Sequence, residues 1–541
     1  MSYMEASLRR QQIRFNKISV WLLDKLSCPP GGYGAMAEAD LTSGMNNPLS
    51  EADPIVPTSD AAPLSHRVRD AVFWRSGSQI VAQMITWGAT FLVIRILNPA
   101  DYGLFAMTQV VLVFLHLLNG YGIASALIQS EKVSTTQVRQ VFGMLILLNA
   151  GLGLAQIALA PLAAAYFRQP MLDDLLRVQA LLYVATPFIA VPNALLSRGI
   201  DYQNQAKINL VAAILSAATA YLCASAGWGV WALVVAPIVL FWTRAVAMMV
   251  AAKCFVWPSF QFAGAGGMFR FGGALMVTQL FWFVQSQADV FVAGRSFEAH
   301  DLGIYTTAVF LATILVGKFV PPLNDVAFAA YSRIQGDTRA IAHGFVKALQ
   351  VIMLVVLPFY AGLAATAEPL VLTMLGPKWS EIIPFVRLLA FAMPFMTLQI
   401  LFAPATNAIG KPSVATRNAA IGAVVMPTAF LVGVHWGIPG LVAAWLIGFP
   451  LLTALTAAVS MPVIGIGVGH IGRAVAPGLA ASTGMALAVW ALDALIHAMA
   501  PAPRLAILVA GGGAVYAALL LLFARPLVRE IARLLLKKTA T

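Results

Sequence analysis

The sequence predicts an all-α, polytopic membrane protein, and three observations carry the prediction. The 541 residues are 60% hydrophobic and only 10% charged, with a mean hydropathy of +0.82. Soluble domains carry about 25% charged residues, so this chain cannot clothe itself in a water-solvated surface. The apolar residues fall in blocks of about 20 or more, the length that crosses roughly 30 Å of hydrocarbon at 1.5 Å per residue. Such blocks lie near 71–95, 103–128, 140–166, 177–197, 207–226, 229–252, 271–294, 303–331, 347–367, 384–408, 417–436, 439–463, 474–496 and 505–524, about fourteen transmembrane helices.

Basic residues set the orientation. The net charge of +12 reads as loop and tail charge under the positive-inside rule, with no nucleic acid as partner. With the N-terminus inside, the inner loops hold 12 Lys and Arg, from Lys132 to Arg473, and the outer loops hold 7, from Arg95 to Arg504. Arg525, Arg529, Arg533, Lys537 and Lys538 add to the inner side. Both termini are therefore expected in the cytoplasm of a multi-pass inner-membrane protein.

Residues 1–66 differ in kind. Leu8 to Leu26 is basic and amphipathic, suited to lying on a membrane surface, and the Pro/Gly/Ser/Asp-rich run from Pro29 to Pro63 is expected to be disordered. The tail reads equally as a dispensable extension. No cleavable signal peptide is expected, because the apolar run is short and no small-residue cleavage pattern follows it.

The chain echoes itself at a spacing of 200 residues. Phe91–Phe105 reads FLVIRILNPADYGLF and Phe291–Tyr305 reads FVAGRSFEAHDLGIY. Arg95 and Arg295, Asp101 and Asp301, and Gly103 and Gly303 coincide. Each segment ends one span and begins the next. Two pseudo-symmetric six-helix lobes are expected, with these residues as their structural repeat: Arg and Asp pair at the outer rim, and Gly permits the tight reversal. The division is a tail at 1–66, an N-lobe at 67–260, a C-lobe at 261–465, two additional helices at 466–525 and a basic tail at 526–541. Related lobes suit a transporter that alternates access around a central site.

Ionisable groups inside spans are costly and mark function by default. Arg75, Arg244 and Lys318 are the candidate cations, and Asp289 and Asp325 the candidate acids. The cations facing a wet central cavity would bind an anionic headgroup, phosphate above all, since Arg holds it bidentately and Lys supplies a compact charge. Asp289 and Asp325 would balance charge or serve a coupling ion. The structural alternatives are snorkelling of Arg75 and Arg244, a Lys318–Asp325 pair two turns apart on one helix face, and a structural partner for Asp289.

Catalytic chemistry has no foothold. P-loop, GxSxG, HExxH and CxxC patterns are absent. Cys28, Cys223 and Cys254 are widely spaced and make neither a CxxC site nor a disulfide framework, and no loop between spans is long enough for a catalytic domain. No cofactor and no metal are expected.

The stretch Arg75–Met107, with its apolar run, Arg95 and an L-x-P-x-D-Y-G turn at Leu97, Pro99, Asp101, Tyr102 and Gly103, resembles the start of bacterial polysaccharide flippases. These belong to the multidrug/oligosaccharidyl-lipid/polysaccharide exporter superfamily. The resemblance spans about residues 67–465. It implies a two-lobe bundle with a cationic cavity that exports undecaprenyl-pyrophosphate-linked oligosaccharide for lipopolysaccharide or exopolysaccharide synthesis. Its partners would be the lipid-linked oligosaccharide, the membrane, and polymerase and export machinery. Two extra C-terminal spans are shared with the superfamily's lipid II flippases. The competing functions are a drug or cation antiporter of the same superfamily and a membrane polysaccharide polymerase or ligase.

Overall fold

The computed structural model describes the backbone of residues 64–119, 127, 134–199, 201–261, 266–523 and 525, and their side chains apart from 64–76, 266–277 and 523. The amphipathic stretch at Leu8–Leu26, the run to Pro63 and the C-terminal tail beyond Arg525 lie outside the described residues. Every regular element among the described residues is helical. Eleven described segments are long and apolar enough to cross a membrane, and one of them, Pro412–Ile464, contains two helices of more than 20 residues each. The protein is thus an all-helical, polytopic membrane protein.

The first set of helices is α1 (Leu64–Ile96), α2 (Pro99–His116), α3 (Thr135–Phe167), α4 (Met171–Gln179), α5 (Leu181–Arg198), α6 (Tyr202–Ser225) and α7 (Trp231–Ala251). The second is α8 (Gly266–Ser296), α9 (Ala299–Ser332), α10 (Thr338–Ala365), α11 (Ala367–Met374), α12 (Ile383–Ala408), α13 (Pro412–Gly433) and α14 (Gly437–Ile464), with α15 (Val468–Ile496) and α16 (Pro501–Phe523) following. Local sequence sets many of the starts. The Ser134 hydroxyl accepts from Gln137 N at 3.2 Å while Gln137 Oε1 accepts from Ser134 N at 3.1 Å, a capping box that satisfies two end groups of α3. Asp337 Oδ1 accepts from the backbone N–H of Arg339 and Ala340 and opens α10.

Packing in the first set returns in the second. α6 lies on α1 and α7, α5 on α7 and α3; correspondingly, α13 lies on α8 and α14, α12 on α14 and α10. The short helices α4 and α11 occupy equivalent places, each between the third and fourth long helix of its set. Hydropathy alone hid both: α4 carries Asp173, Asp174 and Arg177, and α11, eight residues long, is too short to cross a membrane. α15 packs along α10, and α16 joins α15 to α11.

The echoed glycines meet each other where α2 crosses α9. A Cβ on Gly103 would stand 3.0 Å from Gly303 N and against the carbonyl oxygen of Ala299; one on Gly303 would stand 3.1 Å from Gly103 N and against that of Pro99. Neither glycine has a positive φ. They are there for backbone contact between helices, not for a reversal. Alanine at either position is expected to push the helices apart and cost about 1–3 kcal/mol, as overpacking of a tight interface does, read as a lower melting temperature in detergent. Equal melting of wild type and Gly303→Ala would refute the close crossing.

The echoed charges do not pair as Arg with Asp. Asp101 sits at the third position of α2, and its Oδ2 accepts from Asn98 N at 3.0 Å. Asp301 approaches its neighbour His300, Nδ1 to Oδ1, at 3.5 Å. Arg295 lies over the Tyr166 ring, 5.0 Å from its centroid. The Asp101 carboxylate, in the first turn of α2, is already committed to an orphan N–H group.

At this same end the two sets are packed together. A 3₁₀ turn, Pro377–Ile382, reaches the last turn of α1, where Trp379 Nε1 donates to Ile94 O at 2.9 Å and Lys378 Nζ to Ile96 O at 3.2 Å. Trp379 is fully buried, edge-on to Tyr102 at 5.6 Å. Tyr166 stacks on Phe291 at 4.6 Å and donates to its carbonyl oxygen at 3.2 Å, tying α3 to α8.

Candidate functional site

Two adjoining cavities lie behind this packed end. The first, about 580 Å³, is bounded by α1, α2, α6 and α7 on one side and by α8 and α9 on the other. The second, about 660 Å³, is enclosed by α8, α9, α12, α13 and α14. Ser286, Asp289, Val309 and Thr313 belong to both linings and form the shared wall. Thr86, Thr90, Gln109 and Ser216 place polar groups in the mainly apolar wall of the first cavity, and Gln279, Gln285, Asn324 and Gln399 do so in the second.

Asp289 is the buried charge of that wall, 5% exposed. It sits seven residues before the end of α8, roughly 10 Å from the packed end at 1.5 Å per residue. Its Oδ1 accepts from Val290 N at 2.8 Å and its Oδ2 from the Tyr305 hydroxyl at 3.0 Å. The Tyr305 oxygen accepts in turn from Trp445 Nε1 at 2.7 Å. Indole nitrogen can only donate. The direction of the chain is therefore fixed: Trp445 on α14 donates to Tyr305 on α9, which donates to Asp289 on α8. Tyr305 is fully buried, and Trp445 is held by stacking on Phe449 at 4.9 Å.

The other candidates are spread out. Asp325 is exposed and lines the second cavity. Lys318 is exposed on α9, lines neither cavity, and has no ion-pair or hydrogen-bond partner among the described residues. The Lys318–Asp325 pair is not formed. Seven residues of helix separate the two by roughly 10 Å along the axis, and Pro321 and Pro322 break the hydrogen-bond ladder between them. Arg244 is half-buried in α7 and also lines neither cavity. Arg75 falls in α1, but its side chain lies outside the described residues. The two described cavities thus carry acids and neutral polar groups, with no Lys or Arg in their linings.

Sequence reasoning missed Tyr305 and Trp445. A signal for Tyr305 was present: the echo sets it opposite Phe105, so the second copy alone gains a hydroxyl, sixteen residues from an intramembrane Asp that needs a donor. Trp445 carries no such mark among the many apolar aromatics.

A membrane transporter is the class this architecture defines: two matching sets of membrane-length helices with cavities between and within them. The chain belongs to the polysaccharide biosynthesis protein family, whose match covers residues 92–384, over half its length. It is 26% identical over 383 residues to the succinoglycan biosynthesis transport protein ExoT of Rhizobium meliloti (strain 1021), covering 70% of this chain and 76% of that protein. It is 24% identical over 305 residues to the lipopolysaccharide biosynthesis protein WzxC of Escherichia coli (strain K12), covering 54% of this chain and 60% of that protein. Its fold is similar to that of the lipid II flippase MurJ in an inward closed conformation, with a TM-score of 0.68 at 12% identity, over 84% of this chain and 100% of that one.

Proposed function

We propose that the protein flips undecaprenyl-pyrophosphate-linked oligosaccharide across the bacterial inner membrane by alternating access, supplying surface or exopolysaccharide synthesis. The observation that carries the reading is the pair of cavities meeting at Asp289 behind an end where the two helix sets are packed together. Family membership and the transport proteins it resembles support it.

In this reading the chain crosses the membrane fourteen times, α2 and α8 included, with both termini in the cytoplasm. Helices α1–α7 and α8–α14 are the lobes at 67–260 and 261–465, and α15 and α16 are additions. Polymerase and export machinery are downstream partners. The Thr, Ser, Gln and Asn side chains in the cavity walls suit the hydroxyls of a sugar. Lys318, and with it Arg75 and Arg244, meets the diphosphate outside the two described cavities, towards the cytoplasmic side. Asp289 and Asp325 serve coupling or charge balance: a carboxylate inside a membrane without a basic neighbour is stabilised by taking up a proton or a small cation.

Transport of labelled lipid-linked oligosaccharide into proteoliposomes, with and without an imposed ion gradient, tests this. Asp289→Asn keeps the shape and is expected to abolish the gradient-driven component. Lys318→Ala is expected to raise KM about tenfold, the loss of one charge-assisted hydrogen bond. Organic-cation transport with no movement of the lipid-linked sugar would overturn the assignment.

A further inference from the structure

A separate cavity of about 290 Å³ lies between the start of α10 and the α14–α15 turn, at the end of the bundle opposite Trp379. Three basic side chains line it: Arg339 and His343 from α10 and His470 from α15. Arg339 and His343 are four residues apart, so they share one helix face. His470 Nδ1 accepts from Gly467 N at 3.2 Å. That bond places the ring proton of a neutral imidazole on Nε2, which is left to donate. Asp337, the nearest acid in sequence, spends its Oδ1 on the backbone N–H of Arg339 and Ala340 and does not line the cavity. Nothing in the lining carries negative charge. The Arg339 guanidinium has no hydrogen-bond or ion-pair partner among the described residues. Apart from Thr338 the rest of the wall is apolar, with Ala342 and Val346 one turn apart on α10 and Ile464 and Ile466 from the α14–α15 side.

We propose that this cavity binds the phosphate of a membrane lipid in the adjacent leaflet. A rim of one guanidinium and two imidazoles over a mainly apolar floor matches a phosphodiester or diphosphate joined to hydrocarbon, and basic pockets between transmembrane helices take such headgroups. The site is distinct from the cavities at Asp289: it shares no lining residue with them. Two lipids carry the required group, an anionic phospholipid and a polyprenyl diphosphate, and the experiment separates them.

The test is lipid retention by the purified full-length protein in detergent, read by native mass spectrometry against phosphatidylglycerol, polyprenyl diphosphate and zwitterionic phosphatidylcholine. The wild type is expected to retain at least one of the first two over phosphatidylcholine. The triple variant Arg339→Gln, His343→Gln, His470→Gln is expected to lose about tenfold of that preference. Its three exposed positions leave the core untouched, and Val346→Trp, which fills the floor while keeping the charges, is expected to weaken the same lipid. Loss of phosphatidylglycerol alone identifies a phospholipid site; loss of the diphosphate alone identifies an entry site for substrate. Equal retention of all three lipids by the wild type, or unchanged retention by both variants, overturns the proposal. The readout is binding, so it stands or fails separately from transport.

Discussion

Trp379→Ala is expected to loosen the packed end without unfolding the bundle. The side chain is fully buried and bonds to Ile94 O in the last turn of α1, where carbonyl groups have no partner within the helix. Truncating a buried aromatic costs about 3–5 kcal/mol, and this one joins the two helix sets rather than sitting inside either. The cost therefore falls on the state in which this end is shut. A change of about 3 kcal/mol shifts such an equilibrium by roughly 150-fold. Spin labels on Arg177 and Glu381, which lie near this end on opposite sets, are expected to show longer distances in the variant. Trp379→Phe, which keeps the ring and loses the donor, should fall between. Identical distance distributions in all three proteins would sink the idea.

Arg504→Ala is expected to detach α16 from α11. Arg504 is 4% exposed at its side chain, donating through Nε to Asp493 Oδ1 at 2.6 Å and through a terminal nitrogen to Asp493 Oδ2 at 2.8 Å, with Glu368 Oε2 at 3.4 Å. Glu368 belongs to α11 and Asp493 to α15, so one guanidinium ties the appended pair to the second helix set. Removing it strands two acids, and breaking a buried pair costs about 3–5 kcal/mol; the lower figure applies because Glu368 is 34% exposed and water screens it. Thermal unfolding in detergent should show the loss. Arg504→Leu with Asp493→Leu should recover most of it, since paired removal leaves no uncompensated charge in that bond. A double variant as unstable as the single one would place the effect elsewhere.

Much of the fold was legible because lipid demands long apolar helices, and their lengths and breaks show directly in the sequence. Rotation about each helix axis was not. Lys318 and Arg244 were expected to line a central cavity, yet in helices apolar on all sides nothing in the pattern marks which face turns inward. Asp289 was identified because a carboxylate in a span is rare at any rotation. Its partners Tyr305 and Trp445 come from spans 16 and 156 residues away, a proximity that only tertiary packing creates. Gly103 and Gly303 stood out through the echo, but their purpose did not: a glycine for a turn and a glycine for a helix crossing read alike until both backbones are placed.

Under the alternating access proposed above, that crossing is where a tilt of α9 against α2 would pivot. Gly303 sits near one tip of α9, a helix of 34 residues, so the remote tip lies roughly 40 Å away at 1.5 Å per residue. A tilt of about 10° around the glycine pair swings that tip by roughly 7 Å on an arm of this length, while the short arm beside Pro99 barely shifts. At the glycine pair itself backbone meets backbone, so a pivot there drags no side chain across the crossing point.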